Sequence, residues 1–316
     1  MNQLQSTIRS YLEFCQNQKR LDPKTLKAYR IDLSQLSSQI TATEISSVTA
    51  DILEAYISTL HQTYKPKTVK RKIASIKAFF HYLEYKDIIS INPFNKIQVK
   101  FREPVILPKI IPLYTIEALL SCMYRQRTLA KTPDQEKYIL RDIAAIELLF
   151  ATGMRICELC SLSPASINLY DRTVLIYGKG SKERRLQIAN DSVLQILQEY
   201  QNTFSSDIVE CGYFFINNIH KRLSEQSVRI MINHYCSLAA IQLHITPHMF
   251  RHSFATYLLE SDVDIRYIQE MLGHSSINVT EIYTHVATAK QQEILQNKHP
   301  RNGLRVETSY EKSSLN

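Results

Sequence analysis

Ala151-Thr152-Gly153-Met154-Arg155-Ile156-Cys157-Glu158-Leu159 is the stretch from which the rest of the chain can be read. A helical pattern over residues 137–152, with Ile143, Ile146, Leu149 and Phe150 apolar, runs into it. Gly153 is suited to end that helix, because glycine takes the left-handed backbone at little steric cost. Arg155 follows at once and opens another helical stretch. Glu158 lies one turn on and is placed to hold the Arg155 guanidinium. Downstream, Gly178-Lys179-Gly180-Ser181-Lys182 is turn chemistry between β-rich runs at 173–177 and 185–188, which predicts a hairpin with a lysine at its tip.

Further on come His248-x-x-Arg251, then Leu272-Gly273-His274, then Tyr283-Thr284-His285. Thr246-Pro247 predicts a helix start with Thr246 as N-cap, so His248 and Arg251, three apart, share a face. Gly273 ends a short helix predicted over 264–272. Two arginines, a lysine, two histidines and a tyrosine, in this order, make a set able to break a phosphodiester without a metal. Each arginine offers a planar fork of donors that fits phosphate. Arg155 and Arg251 would hold the two non-bridging oxygens and stabilise the charge gained by pentacoordinate phosphorus. His248 and His274 would donate hydrogen bonds to phosphate oxygens or assist proton movement. A tyrosine can hold a phosphoryl group covalently.

These residues resemble the tyrosine recombinase (phage integrase-like) family, most of all its compact Xer-type and mobile-element members. The resemblance covers essentially the whole chain; its C-terminal motifs are specific and its N-terminal likeness is loose. It implies a mainly α fold with a small β-hairpin or sheet in the catalytic domain, and a two-domain clamp that closes on double-stranded DNA. It implies Tyr283 as nucleophile, giving a 3′-phosphotyrosine and a free 5′-hydroxyl. Lys179 would be the general acid on the departing 5′ oxygen, with Lys182 as competitor should the hairpin tip be displaced. His252 is expected to face elsewhere on its helix, and His285 to have no chemical role. No cofactor and no metal are implied. The assembly implied is a homo-tetramer on paired sites, alone or with a paralogue, with a helix over 286–299 docking on a neighbouring protomer. Asn278-Val279-Thr280-Glu281 follows the family pattern only approximately, which leaves Tyr283 in place. Two other readings stay open: a type IB topoisomerase-like nicking-resealing enzyme, and a catalytically silent DNA-binding regulator.

The remainder of the chain agrees with a nucleic-acid partner. Its 316 residues suggest about two domains, and 44% hydrophobic residues can fill their cores. The formal charge of +8 is concentrated: residues 1–105 hold sixteen Lys/Arg against nine Asp/Glu. Those residues read as helices. Asp22-Pro23 starts one, a third runs over 49–60, and a fourth starts at Pro66. In the fourth, Val69, Ile73, Ile76, Phe80 and Leu83 share one face, and Lys67, Lys70, Arg71 and Lys77 lie opposite, where they would contact DNA. Three prolines within residues 102–112 predict an extended linker. The domains expected are thus a DNA-binding domain over 1–103, a linker over 104–112, a catalytic domain over 113–299 and a mobile tail over 300–316. No run of about 18 apolar residues exists to span a membrane. Six scattered cysteines without an export signal point to a reducing compartment, the cytoplasm, with nucleoid association on DNA. Cys157-x-x-Cys160 lacks a second metal-ligating pair at suitable spacing, so both cysteines are expected to pack in the core.

Overall fold

Asp22 starts a helix by accepting the backbone N–H of Lys24 at 2.8 Å, with Pro23 in the first helical position. The same proline-first device opens a helix at Pro66. The computed structural model describes residues 3–40, 44–98, 109–177 and 183–273, and the chain divides into two units, 1–105 and 106–316. The first unit is helical: α1 (Gln3–Asn17), α2 (Pro23–Gln39), α3 (Ala50–Thr63) and α4 (Pro66–Tyr85). Each turns one apolar stripe inward. Leu4 and Tyr11 meet Leu33, Leu36, Leu60, Val69, Ile76, Phe79 and Phe80 in a single core. The Tyr11 ring lies 5.3 Å from Phe79 and 5.0 Å from Tyr82, between centroids.

The second unit is built around α6 (Pro133–Thr152), packed by α5 (Leu113–Thr128) and α8 (Asp191–Thr203). Ile139, Leu140, Ile143, Ala144, Ala145, Ile146, Leu148 and Leu149 are all buried, so α6 is apolar on most sides, as a central helix must be. After it come α7 (Ile156–Ser161) and a three-stranded antiparallel sheet of β1 (Ile167–Asn168), β2 (Thr173–Tyr177) and β3 (Glu183–Gln187), in that order. β2 and β3 pair from Thr173↔Gln187 to Tyr177↔Glu183, which leaves residues 178–182 as their connection. The chain continues through α9 (Ser205–Cys211), α10 (Glu225–Leu238), α11 (Pro247–Glu260) and α12 (Ile265–Leu272).

Most helices expected from periodicity are present within a few residues of their predicted ends. β1 and α9 were not expected; at two and seven residues they are too short for periodicity to register. Thr246 stands at the N-cap of α11, but its side chain accepts no capping hydrogen bond. Ile111, inside the expected linker, is fully buried in the second unit. Its N–H donates to Ser253 Oγ at 2.7 Å, and its carbonyl accepts from the Tyr257 hydroxyl at 2.9 Å. Two side chains of α11 thereby replace the water that an extended backbone needs, so the extended stretch can enter the core.

Candidate active site

The ends of α6 and α12 converge on Arg251. Gly153 closes α6 with φ +60° and Gly273 closes α12 with φ +65°, both in the left-handed region. A Cβ on Gly153 would stand 2.5 Å from Phe254 Cδ1, so only glycine lets α11 approach this closely. Arg251 is buried on α11; its Nη1 donates to the Gly153 carbonyl at 2.9 Å and its Nη2 to the Leu272 carbonyl at 2.6 Å. A cation against two helix C-termini is favoured by their partial negative charge. Burial first, and then the neighbouring Arg155 guanidinium, push the Arg251 pKa down to about 9. The Arg155 charge thus disfavours the charged form of Arg251, a penalty that an anion placed between them would relieve.

Arg155 stands at the N-cap of α7, with its side chain about one-third exposed. Glu158 holds it as expected: the Arg155 backbone N–H donates to Oε2 at 2.7 Å and Nη1 to Oε1 at 3.0 Å. The same carboxylate takes a second arginine. Arg184, on β3, donates from Nη1 to Oε1 at 3.0 Å and from Nη2 to Oε2 at 2.6 Å. Burial pushes the Glu158 carboxyl up, yet the hydrogen bonds from Arg184 and from the Arg155 backbone outweigh it and hold the pKa below its ordinary value. Sequence reasoning missed Arg184. The signal was present in the alternation of β3, where Leu186 and Ile188 are buried and Arg184, two residues earlier, shares their face.

His248 lies one turn before Arg251 on α11 and is solvent-exposed. Its imidazole is held below the ordinary value by partial desolvation first, then by Arg251, Arg229 and Arg155. Arg229 on α10, paired with Glu225 at 3.2 Å, is a second cation that the sequence did not single out. His252, expected to face away, is half-buried; burial first, then His248 and Arg251, hold its imidazole down as well. Arg155, Arg251, His248 and Glu158 thus share one neighbourhood. Lys179, Lys182, His274 and Tyr283, with the segment 286–299, lie outside the described residues.

Cys157 departs from expectation: it is exposed, while Cys160 is buried with its thiol pushed up to about 12 by burial first, then by nearby Glu225. In α7 the positions of Ile156, Leu159 and Cys160 repeat at helical spacing toward the core, and Cys157 falls off that face. Among the described residues no group of three or more His, Cys, Asp or Glu is placed to hold a metal ion.

In the first unit, Lys67, Lys70, Arg71 and Lys77 are all exposed along α4, opposite buried Val69, Ile73, Ile76 and Phe80. Sequence alone showed no acid on that face. The fold brings one from α2: fully buried Asp32 pairs with Arg71, and also accepts from Lys72 at 3.1 Å and from Ser75 at 2.8 Å. Lys72 is buried, its Nζ 4.8 Å from the Tyr64 ring centroid. The Arg71 guanidinium is therefore held at Nη1 by Asp32, its charge matched in part, while its side chain remains 45% exposed.

Residues 125–290 match the phage integrase family, and residues 8–86 match the phage integrase N-terminal SAM-like domain. A tyrosine recombinase of Agathobacter rectalis is 64% identical over 301 residues, spanning 95% of this chain and 98% of that protein. The tyrosine recombinase XerC of Pelobacter propionicus is 33% identical over 308 residues, spanning 95% and 97%. The crystal structure of XerH site-specific recombinase bound to a palindromic difH substrate, a post-cleavage complex, is similar in fold. Its TM-score is 0.73 at 21% identity, covering 92% of this chain and 84% of that one.

Proposed function

The chain belongs to the phage integrase family and is a tyrosine recombinase, an enzyme of site-specific DNA recombination; from this we propose that it cuts and rejoins duplex DNA through a phosphotyrosine on Tyr283. The observation that carries this reading is the charge of the site. Arg155, Arg184 and Arg251 face one carboxylate, Glu158, an excess of two positive charges. A phosphodiester brings one negative charge, and the pentacoordinate state reached on attack carries a second. The excess therefore matches the transition state better than the ground state, which is what accelerates a reaction. The tyrosine oxygen forms a bond to phosphorus as the bond to the 5′ oxygen breaks. Lys179 gives its proton to the departing oxygen. His248, with its pKa held down, is neutral near pH 7 and fit to take up the tyrosine proton or to donate to a phosphate oxygen. His274 joins it on the phosphate. The phosphotyrosine conserves the bond energy, and attack by a 5′-hydroxyl reverses the steps.

In this reading residues 1–103 bind core DNA, with Lys67, Lys70, Arg71 and Lys77 on phosphate. Residues 113–299 carry the chemistry, 104–112 join the two, and 300–316 form a tail. The working assembly is a homo-tetramer on paired sites, in the cytoplasm and on the nucleoid. No helix among the described residues is long and apolar enough to cross a membrane. Tyr283→Phe keeps the ring and removes the nucleophile. It should abolish covalent adducts on a nicked suicide substrate and leave DNA binding intact; adducts persisting in that variant would overturn the assignment.

A further inference from the structure

Beyond its share in the positive charge of the site, Arg184 has no part in the steps above, yet it touches three elements of the site. Its Nη1 and Nη2 grip Glu158, the carboxylate that holds Arg155. Its Nε donates to the Met271 carbonyl at 2.9 Å, in the last turn of α12. Its backbone is the second residue of β3, and the connection bearing Lys179 ends where that strand begins. The side chain is only 9% exposed. A Cβ on Gly273, the residue before His274, would stand 2.9 Å from Arg184 Nη1. The guanidinium thus fills the space between the strand, the start of α7 and the end of α12.

A buried ion pair is weak support for stability, because desolvation offsets much of the attraction. Its geometry has a clearer consequence. A general acid must come within hydrogen-bond reach of the oxygen it protonates, and holding a lysine side chain there costs rotamer freedom. The root of that connection decides where its tip can go. Resting on the reading of Lys179 as the acid, we infer that Arg184 is a positioning residue for leaving-group protonation. It sets the root of the Lys179 connection in register with Arg155, and with the helix end that leads to His274.

The test uses the full-length protein and two suicide substrates, one with the natural bridging 5′ oxygen and one with sulfur there, which leaves without a proton. Arg184→Gln should slow single-turnover cleavage of the oxygen substrate by about 10²-fold, the lower end of what acid–base catalysis contributes. The sulfur substrate should recover about ten-fold or more of that loss. Arg155→Ala should be slow on both. Equal slowing of Arg184→Gln on oxygen and sulfur would overturn the inference and leave Arg184 as a prop for the fold. If Arg184→Gln does not fold, Arg184→Lys, which keeps the charge and loses the fork, is read on the same pair and decided by the same comparison. Lys179→Ala on the two substrates judges the acid separately. Its failure to be rescued removes Lys179 from that role, whatever Arg184 does, and rescue of Lys182→Ala in its place moves the role to Lys182.

Discussion

Glu158 accepts four hydrogen bonds, two on each carboxylate oxygen, and two arginines depend on it. Removing it strands the buried Arg184 guanidinium beside Arg155 and Arg251. Glu158→Ala should therefore destabilise the second unit by about 3–5 kcal/mol, the usual cost of breaking a buried pair from one side. Denaturant titration with and without the substitution measures this. Glu158→Gln keeps the acceptor geometry at one oxygen and should lose less. His248 makes a pH-dependent contribution whose direction follows from its lowered pKa. As pH falls below the ordinary imidazole value of 6.5, the unfolded chain takes up the proton before the folded one does. Stability is therefore fully present above that value and declines as pH falls through the lower folded value. His248→Gln should flatten the fall in Tm between about pH 7 and pH 5, the range in which imidazoles titrate. It should not abolish it, because His252 is shifted in the same direction. An unchanged profile would remove His248 from the charged cluster.

At the scale of the element, α4 has a core side, an exposed basic side and one internal tie to α2. The tie through Asp32, Lys72 and Ser75 fixes how the helix is rotated, and so which lysines face solvent. Lys67 and Lys77 stand clear of that tie. If they lie on phosphates, each phosphate deprived of its cation lowers the slope of log K against log salt by about one unit. Neutralising both, as Lys67→Gln with Lys77→Gln, should lower it by about two and weaken target and random duplexes alike. A salt slope equal to that of the unaltered protein would return this face to ordinary solvent. The glycine ends of α6 and α12 are also properties of elements. Both were legible as helix stops, but their meeting on Arg251 was not.

Among the described residues the first unit has one hydrophobic core, and the second has a main core and a smaller cluster of Ala255, Ile268 and Leu272 between α11 and α12. For the whole molecule, assembly on DNA is the property most exposed to test. Val286, Ala287, Ile294 and Leu295 are apolar within an otherwise polar stretch, and the short helix that the family resemblance implies over 286–299 would be marginal in water without a surface to dock on. Truncation after Thr288 should leave DNA binding by single protomers nearly unchanged. It should lower cooperative filling of paired sites and stop strand exchange. Recombination at the full-length rate by the truncated protein would show the segment to be dispensable.

What the sequence determined by itself is local in origin. The 3.6-residue spacing of Val69, Ile73, Ile76 and Phe80, the cap at Asp22, the stops at Gly153 and Gly273 and the strand runs about residues 178–182 each act within a few residues. Each is therefore visible as a pattern. The order of Arg155, His248 and Arg251 was visible too, because chemistry restricts residue types where packing does not. Tertiary structure alone decided which charges meet. Arg184 lies 26 residues from Glu158, Lys72 lies 40 from Asp32, Arg251 lies 98 from the Gly153 carbonyl, and Ile111 lies 142 from the serine that receives its N–H. None of these pairings leaves a periodic trace. They arise because a buried polar group must find a partner wherever the folded chain brings one within reach.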